Sequence, residues 1–288
     1  QAIMVTGYSE KFVTVQPAHI RIKRPMSPES LLYRRAAGAG IFADQGQIQA
    51  AATASIARDS QRMADMITNS EEYLCAQAIR GTITYVSADE DAFEIDFARA
   101  AGNTITLSGA DLWTASTGVP ADDILDAKRL ISNAEGLVPT AIVMGSLAAS
   151  AFIKNVNVRS ELDNRRLSAG ELTLQSQFTD DGAIFLGTYA GLPCWEYARQ
   201  VTLPDGTAFD LIRQKFAEVI CASPAAENVI YYGSIPDIDA LQQGNWVGQR
   251  FSKSWVEKDP SALIQLATSR PIPVTRRPDS NVSIQVVA

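Results

Sequence analysis

The side chains that most often do chemistry in proteins are sparse in this sequence. His19 is the only histidine, and no cysteine lies near it in the chain. A Ser-His-Asp or Cys-His nucleophile needs a histidine base, and a histidine-based zinc site needs further ligands of that type. The sequence therefore argues against both kinds of site, and we expect His19 to be an ordinary surface or interface residue.

Carboxylates are the second source of chemistry, because closely spaced ones can bind a cation or act as general acid and base. Five of them lie between Asp89 and Asp96, but this run lacks the glycine turn and the terminal glutamate of an EF-hand loop. Glu94 and Asp96 alternate with apolar residues, which predicts the solvent-facing side of a strand. Asp237 and Asp239 are predicted to lie in a polar turn, and no metal or cofactor is expected.

Phosphate binding is the third possibility, and the sequence has neither a GxGxxG nor a GxxxxGK[ST] loop. Arginine and lysine clusters remain near residues 21–24, 34–35, 165–166 and 276–277. They are scattered, so a solvated face or a salt-bridged interface is the favoured interpretation and phosphate contact the other. The net charge of −7 argues against a protein whose main task is to neutralise nucleic acid.

Composition favours a soluble globular protein. The chain has 288 residues, of which 46% are hydrophobic and 20% charged, enough for a sizeable core. Its three cysteines are far apart, which disfavours a disulfide framework and makes a reducing cytoplasm the simplest origin. No apolar run approaches the roughly 18 residues that a membrane span needs, so no membrane contact is expected.

The first 43 residues predict an arm. Residues 1–43 join a basic, β-like run to a stretch of prolines, alanines and glycines. Pro17 interrupts the β-like run, and proline within a sheet is confined to edge strands. We therefore expect a projecting arm that contains an edge strand.

Residues 44–118 predict a long helix followed by short strands. No glycine or proline occurs from Gln47 to Arg80, and apolar residues recur there at steps of four and seven. Gly81 ends this pattern, so the helix is expected to be about 50 Å long. The period then changes to two, which predicts an antiparallel sheet packed on the helix. Its expected strands are 82–86, 93–97 and 104–107.

The rest of the chain predicts an α/β region and a return to strands. Residues 119–238 begin with a helix, a buried strand and a second helix, followed by further strands. Residues 239–288 end in two β-like runs, 263–268 and 282–287, which we expect to pair with the strands after Gly81. The middle region would then be an insertion in an α+β chain.

Three segments resemble the phage lambda-type major capsid proteins. EIDFAR (94–99) resembles a segment on a strand after that family's long helix, with Ala98 where glycine is common. Residues 245–287 are similar to its C-terminal region, with Trp, then DP, SxPxP and PD before a last strand. VTVQPAHIRIKRPMSPE (13–29) resembles its extended loop with a single histidine. The resemblance runs in order over essentially the whole chain.

The resemblance implies the α+β, HK97-type capsid fold. Residues 1–43 would be the extended loop, with the chain beginning inside it, 44–118 and 239–288 the peripheral domain, and 119–238 the axial domain. The implied function is that of a tailed-phage major capsid protein, found in the virion and assembled in the host bacterial cytoplasm. Its copies would form hexamers and pentamers of an icosahedral shell around double-stranded DNA. Portal, scaffold and decoration proteins would be further partners, and contact with the DNA would be non-specific.

A shell subunit must meet copies of itself through broad, shallow surfaces. Arg21, Lys23 and Arg24 are expected to meet acidic groups at 89–96 or 161–163 of adjacent subunits. Trp255 is expected to anchor the returning chain on its sheet, beside prolines that keep a sheet edge from pairing indiscriminately. The expected contact residues between subunits are Arg21, Lys23, Arg24, Arg34, Arg35, Arg270, Arg276 and Arg277.

Two other interpretations stay open at this stage. One is a cytoplasmic enzyme with an inserted α/β domain, whose aspartate pairs would bind a metal. The other is a related phage tube or the shell protein of a cellular nanocompartment. Turnover or stoichiometric metal would favour the enzyme, and self-assembly into large particles would favour a shell.

Overall fold

The computed structural model describes residues 17–28, 45–86, 92–161, 177–178, 182–203, 206–244 and 248–288. The helices used below are α1 (Gln45–Arg80), α2 (Pro120–Glu135), α3 (Ser146–Lys154) and α4 (Ile238–Gln242). The first strands are β1 (Ile20–Met26), β2 (Thr82–Val86), β3 (Ala92–Asp96), β4 (Thr104–Thr106), β5 (Ala141–Met144), β6 (Gln177–Phe178), β7 (Ile184–Tyr189) and β8 (Leu192–Glu196). The later strands are β9 (Gln200–Thr202), β10 (Ala208–Asp210), β11 (Phe216–Ile220), β12 (Asn228–Tyr232), β13 (Phe251–Lys258), β14 (Ser261–Ser269), β15 (Pro271–Thr275) and β16 (Val282–Gln285).

The long helix predicted from the sequence is confirmed. Helix α1 has 36 residues, which makes it about 54 Å long. Met63, Ile67, Leu74 and Ala78 on its apolar stripe are buried, as their spacing predicts. Gly81 follows the helix with a φ of +97°, a left-handed conformation that ends the helix without the steric penalty of a side chain.

A three-stranded antiparallel sheet lies on α1, in the order β1-β14-β13. Ile20 and Ile22 of β1 pack against Met63 and Ile67 of the helix. Pro17 predicts an edge strand or an extended arm, and the edge strand is confirmed, because β14 is the only partner of β1 among the described strands. Residues 20–26 therefore lie on the helix and do not project from it; residues 1–16 and 29–44 of the expected arm lie outside the described residues.

The second large sheet is mixed and has seven strands, in the order β4-β16-β11-β5-β8-β7-β6. The predicted sequence of helix, buried strand and helix is confirmed as α2, β5 and α3. Both helices pack on one face of this sheet, where Ile124, Phe152 and Ile142 belong to one buried cluster. Helix α2 ends at Gly136, whose φ of +66° again provides the left-handed cap.

The expected pairing of the last strands is wrong in part. Strand β14, which contains residues 263–268, pairs with β1 and β13 and not with the strands after Gly81. Strand β16 does pair with one of those strands, β4, but the two are parallel and belong to the seven-stranded sheet. Residues 282–284 are fully buried, so β16 is covered on both of its faces.

The sheet expected next to α1 is correspondingly smaller. Strands β2 and β3 pair with each other, while the third predicted strand, β4, joins β16. The seven-stranded sheet thus includes strands from before residue 119 and after residue 238. The division of the chain into domains at those residues stays a prediction. None of the helices in the described ranges is long and apolar enough to cross a membrane.

Candidate contact surfaces

The outer face of the three-stranded sheet carries exposed cations. Side chains alternate along a strand, so Ile20 and Ile22 face α1 while Arg21 and Lys23 point away from it and are exposed. Across the sheet, Lys23 lies opposite Leu266, which lies opposite Lys253. The predicted contact residues Arg21 and Lys23 are therefore exposed, whereas Leu266 between Lys23 and Lys253 is buried.

Trp255 lies between two of these cations. The Nζ atoms of Lys23 and Lys253 are 5.9 and 5.6 Å from the centroid of its ring, within reach of a cation–π interaction. The tryptophan is on β13 and Lys23 is on β1, so the ring links the two outer strands across β14. This position is compatible with the anchor role expected for Trp255, which stays a prediction.

Lys253 is held by two aspartates. Its Nζ lies 2.8 Å from Asp237 Oδ2 and 2.6 Å from Asp239 Oδ2, and these hydrogen bonds raise the pKa of the lysine. Asp237 also accepts a hydrogen bond from the backbone N–H of Asp239 at 2.9 Å and caps α4. The polar turn predicted here is thus a capped short helix, because an aspartate at the N-cap satisfies an otherwise free backbone donor.

Arg24 has its acidic partner within its own chain. Its guanidinium is 3.5 Å from Asp59 Oδ1, and Arg62 is 3.4 Å from the same oxygen. Asp59 is on the buried face of α1, with a side chain only 2% exposed. Asp59 was not predicted as an ion-pair partner, although it falls between Ile56 and Met63 on the apolar stripe, where a carboxylate is unusual. Arg24 thus fastens β1 to the helix.

The three C-terminal arginines of the predicted set also have partners in the chain. Arg270 donates to the carbonyl of Ser234 at 3.0 Å, and Arg277 donates to the carbonyl of Glu135 at 3.5 Å. Arg276 binds Glu227 Oε2 at 3.1 Å and the Tyr231 hydroxyl at 2.7 Å. Their expected role between subunits stays a prediction. Arg34 and Arg35 lie outside the described residues.

The acidic partners expected on neighbouring subunits are partly visible. Glu94 and Asp96 are exposed while Ile95 between them is partly buried, so the predicted alternation is confirmed. Residues 87–91 and 162–163 lie outside the described part of the chain. Glu94 and Asp96 are therefore the described carboxylates of the expected set at 89–96.

Strand β12 presents a second accessible surface. Val229, Ile230 and Tyr231 are all exposed on it. Its partner β15 contains Pro271 and Pro273, which have no backbone N–H to offer to a further strand. Exposed apolar side chains that lie next to one another are typical of protein interaction surfaces.

The side chains that an enzyme would need do not converge in the described residues. His19 Nε2 is 3.2 Å from Thr268 Oγ1, and no group of three His, Cys, Asp or Glu side chains in the described ranges could hold a metal ion. Burial raises the pKa of Cys194 to about 11, and burial with nearby Glu71 and Glu72 raises that of Cys75 to about 11. Such thiols are poor nucleophiles at neutral pH.

This chain is similar in sequence to known proteins. The family model "Phage major capsid protein E" matches residues 1–286. The chain belongs to the phage major capsid protein E family. The major capsid protein of Escherichia phage lambda is 29% identical over 233 residues, which cover 76% of this chain and 64% of that protein. The major capsid protein of Escherichia phage N15 is 26% identical over 225 residues, which cover 75% of this chain and 62% of that protein. The aligned region thus spans less than two thirds of either relative.

Solved structures show the fold. A protein assigned as the capsid protein of a prophage of E. coli CFT073 superposes with a TM-score of 0.73 at 20% identity, covering 94% of this chain and 77% of that one. A phage-related protein from Bordetella bronchiseptica RB50 superposes with a TM-score of 0.52 at 13% identity, covering 93% and 75%. The α+β, HK97-type capsid fold expected from the sequence is confirmed. The family assignment does not favour the enzyme or the nanocompartment interpretation.

Proposed function

We propose that this chain is the shell-forming subunit of a tailed-phage head. Its copies assemble through hexamers and pentamers into an icosahedral shell that encloses double-stranded DNA. The observation that carries the proposal is family membership over residues 1–286. The virion is its place of function and the host cytoplasm its place of assembly, with portal, scaffold and decoration proteins as further partners.

Contact with the packaged DNA is non-specific and weak in this proposal. The chain carries a net charge of −7, which opposes tight binding to a phosphate backbone. A weakly interacting inner wall also leaves the DNA free to move during packaging and ejection. The subunit therefore binds mainly to copies of itself.

Arg21 and Lys23 are the best-placed cations for contact with a neighbouring subunit. Both are exposed on β1, and neither forms an ion pair with another residue of the described ranges. Glu94 and Asp96 of an adjacent copy are suitable partners, since both are exposed. One exposed pair contributes only about 0–1 kcal/mol, but the contact is repeated in every subunit of a shell.

Negative-stain microscopy and sedimentation velocity of the purified chain test the proposal. We expect closed isometric particles. A folded chain that stays monomeric under all assembly conditions contradicts the proposal, and substrate turnover by that monomer would favour an enzyme.

Charge reversal tests the contact surface. The double variant Arg21→Glu, Lys23→Glu is expected to reduce particle yield at least tenfold, and most strongly at low salt. The matched control reverses two exposed cations elsewhere, Arg129→Glu and Lys154→Glu. Wild-type yield from the first variant would remove Arg21 and Lys23 from the assembly contacts.

A further inference from the structure

A row of polar side chains crosses three strands of the seven-stranded sheet. Thr104 of β4, Ser283 of β16 and Glu218 of β11 are direct neighbours in register. Ala217 and Ile284, which flank this row, face the core under α2 and α3, so alternation places the row on the opposite face. Glu218 is only 1% exposed and Ser283 is fully buried.

The buried carboxylate of Glu218 is completely engaged. Ser283 Oγ donates to Glu218 Oε2 at 2.5 Å, and Arg213 Nη2 donates to Oε1 at 2.9 Å. The Arg213 guanidinium in turn lies 3.5 Å from the centroid of the Phe216 ring. A buried charge is retained at a solvation cost, so this arrangement is better explained by a demand for fixed geometry than by stability.

Arg99 connects this row to the end of α1. Its Nη1 donates to the carbonyl of Ile79, in the last turn of the helix, at 3.1 Å. Its Nη2 donates to Thr104 Oγ1 at 2.6 Å, and both Nη atoms lie 3.2 Å from Ser283 Oγ. The Ser283 hydroxyl can give its proton to Glu218 and still accept from Arg99, because it has one donor and two acceptor sites. A cation beside the carbonyls at a helix C-terminus is also favourable.

The backbone around Arg99 is shaped for this contact. Ala98 has a φ of +55°, a left-handed conformation in which its N–H binds Asp96 Oδ1 at 2.8 Å. A Cβ atom added at Gly81 would lie 3.1 Å from Arg99 Cβ, so the residue after the helix leaves room for the arginine. Both special positions bring the motif EIDFAR against the helix end.

The next residue of the helix makes a parallel connection. Arg80 donates to the carbonyls of Leu211 and Asp210, in the segment that leads into β11, the former at 3.0 Å. Burial lowers the pKa of both Arg80 and Arg99 from that of a free guanidinium. Arg99 thus attaches the end of α1 to the sheet that carries Glu218, and Arg80 attaches it to the end of β10; both arginines are half-buried.

We propose that Arg99, Thr104, Ser283 and Glu218 form a joint that fixes the direction in which α1 leaves the seven-stranded sheet, and that shell assembly depends on this direction. Only the second part of this inference, the dependence of shell assembly on the direction of α1, rests on the proposed function. Copies in a closed shell must present their contact surfaces at defined angles. Arg99 is accordingly a positioning residue for assembly, and it acts through the helix end and not by touching a neighbour.

Two substitutions in the joint test the proposal. Ser283→Ala removes the hydroxyl between Arg99 and Glu218 with little change in volume, and Arg99→Lys keeps the charge but loses the forked donors. Ser108→Ala and Arg129→Lys, both at exposed positions, are the matched controls. Circular dichroism establishes that each variant is folded. Hydrogen exchange of dissociated subunits and microscopy of assembled particles are the two readouts.

We expect both joint variants to exchange the amides of residues 76–80 at least tenfold faster than the wild type, with controls unchanged. We expect their yield of regular isometric particles to fall at least tenfold. Wild-type exchange at residues 76–80 in folded Ser283→Ala overturns the joint. Faster exchange with a wild-type particle yield overturns its role in assembly.

The design separates this inference from the proposed function. If Arg99→Lys does not fold, Ser283→Ala decides the matter alone. If the wild-type chain forms no particles at all, the proposed function fails together with the assembly part of the inference. The exchange measurement still supports or contradicts the joint in that case.

Discussion

Two regions of this molecule are stabilised in different ways. The core-sheet region, which is the seven-stranded sheet with α2 and α3, encloses one continuous cluster of buried apolar side chains that includes Trp113, Ile131 and Ile284. The helix region is α1 with β1, β13 and β14. Its described residues form small separate clusters, such as that of Met63 and Ile67. Burial of apolar surface is the main stabilising contribution in folding, so the first region is much the more self-sufficient.

Ion pairs take a larger part in the helix region. Besides Arg24 and Asp59, the helix residue Glu71 pairs with Arg250 at 2.9 Å and Glu72 pairs with Arg199 at 2.9 Å. Partly exposed pairs of this kind contribute little individually. We therefore expect the helix region to gain more stability from contact with neighbouring copies than the core-sheet region does.

The largest expected effect is a core truncation. Ile284→Ala in β16 is expected to reduce the free energy of unfolding by about 2–5 kcal/mol, because the surrounding sheet and helices cannot collapse into the space. Urea unfolding measures it. Val138→Ala, at an exposed position, is the control and should stay within about 0.5 kcal/mol. A loss under about 1 kcal/mol for Ile284→Ala would contradict the account of a tightly packed core.

A matched truncation in the helix region tests whether its core contributes less stability than that of the core-sheet region. Ile67→Ala removes an equally buried side chain. Its cluster, however, is small and lies under the three-stranded sheet, whose strands can move into part of the space. We expect a loss of about 2 kcal/mol, at the low end of the range for such changes. Met66→Ala, one residue away and exposed, is the control. An effect larger than that of Ile284→Ala would reverse the proposed order of the regions.

The buried carboxylate on α1 gives a smaller effect. Asp59→Asn leaves Arg24 and Arg62 without their anion, and we expect a loss of about 1–3 kcal/mol. Asp126→Asn is the counterpart, since Asp126 and Arg129 form a 2.8 Å pair in which both side chains are 64% exposed. Its effect should be about 0–0.5 kcal/mol and should vanish in 1 M salt. Equal effects of the two substitutions would argue against Arg24 as a fastening of β1.

The smallest expected effect is a difference in the rates at which two cysteines react. A raised pKa lowers the thiolate fraction at neutral pH, so Cys75 and Cys194, both with a pKa of about 11, should react slowly with iodoacetamide. Reaction should accelerate about tenfold per pH unit below that value, since the thiolate fraction does. Cys75 in the helix region should react at least tenfold faster than Cys194. Mass spectrometry of digested samples measures both rates, and a faster Cys194 would contradict the ranking of the regions.

The sequence predicts which segments form helices and strands better than it predicts which strands pair with one another. The stripe from Met63 to Ala78 shows α1 because a helical period repeats over many residues. Strand β16 is equally recognisable, but its apolar pattern does not tell β4 and β11 from any other neighbours. Strand pairing depends on distant residues, which local patterns do not encode.

The contact residues illustrate the same limit. The exposed face with Arg21 and Lys23 follows from strand alternation alone. Asp59 and Glu218 were missed, although each is a carboxylate within an apolar pattern, and such a position is a signal for a buried ion pair. Their partners Arg24 and Arg213 are identified only by the folded structure.

Hydrogen exchange of assembled particles and dissociated subunits tests whether neighbouring copies contact the helix region and not the core-sheet region. We predict that assembly slows exchange at least tenfold in Ile20–Met26 and Phe251–Lys258, the outer strands of the sheet on α1. Phe216–Ile220 and Val282–Gln285 should be strongly protected in both states and change little. Absence of particles, or protection gained in the core-sheet strands with none in β1 and β13, would contradict the account.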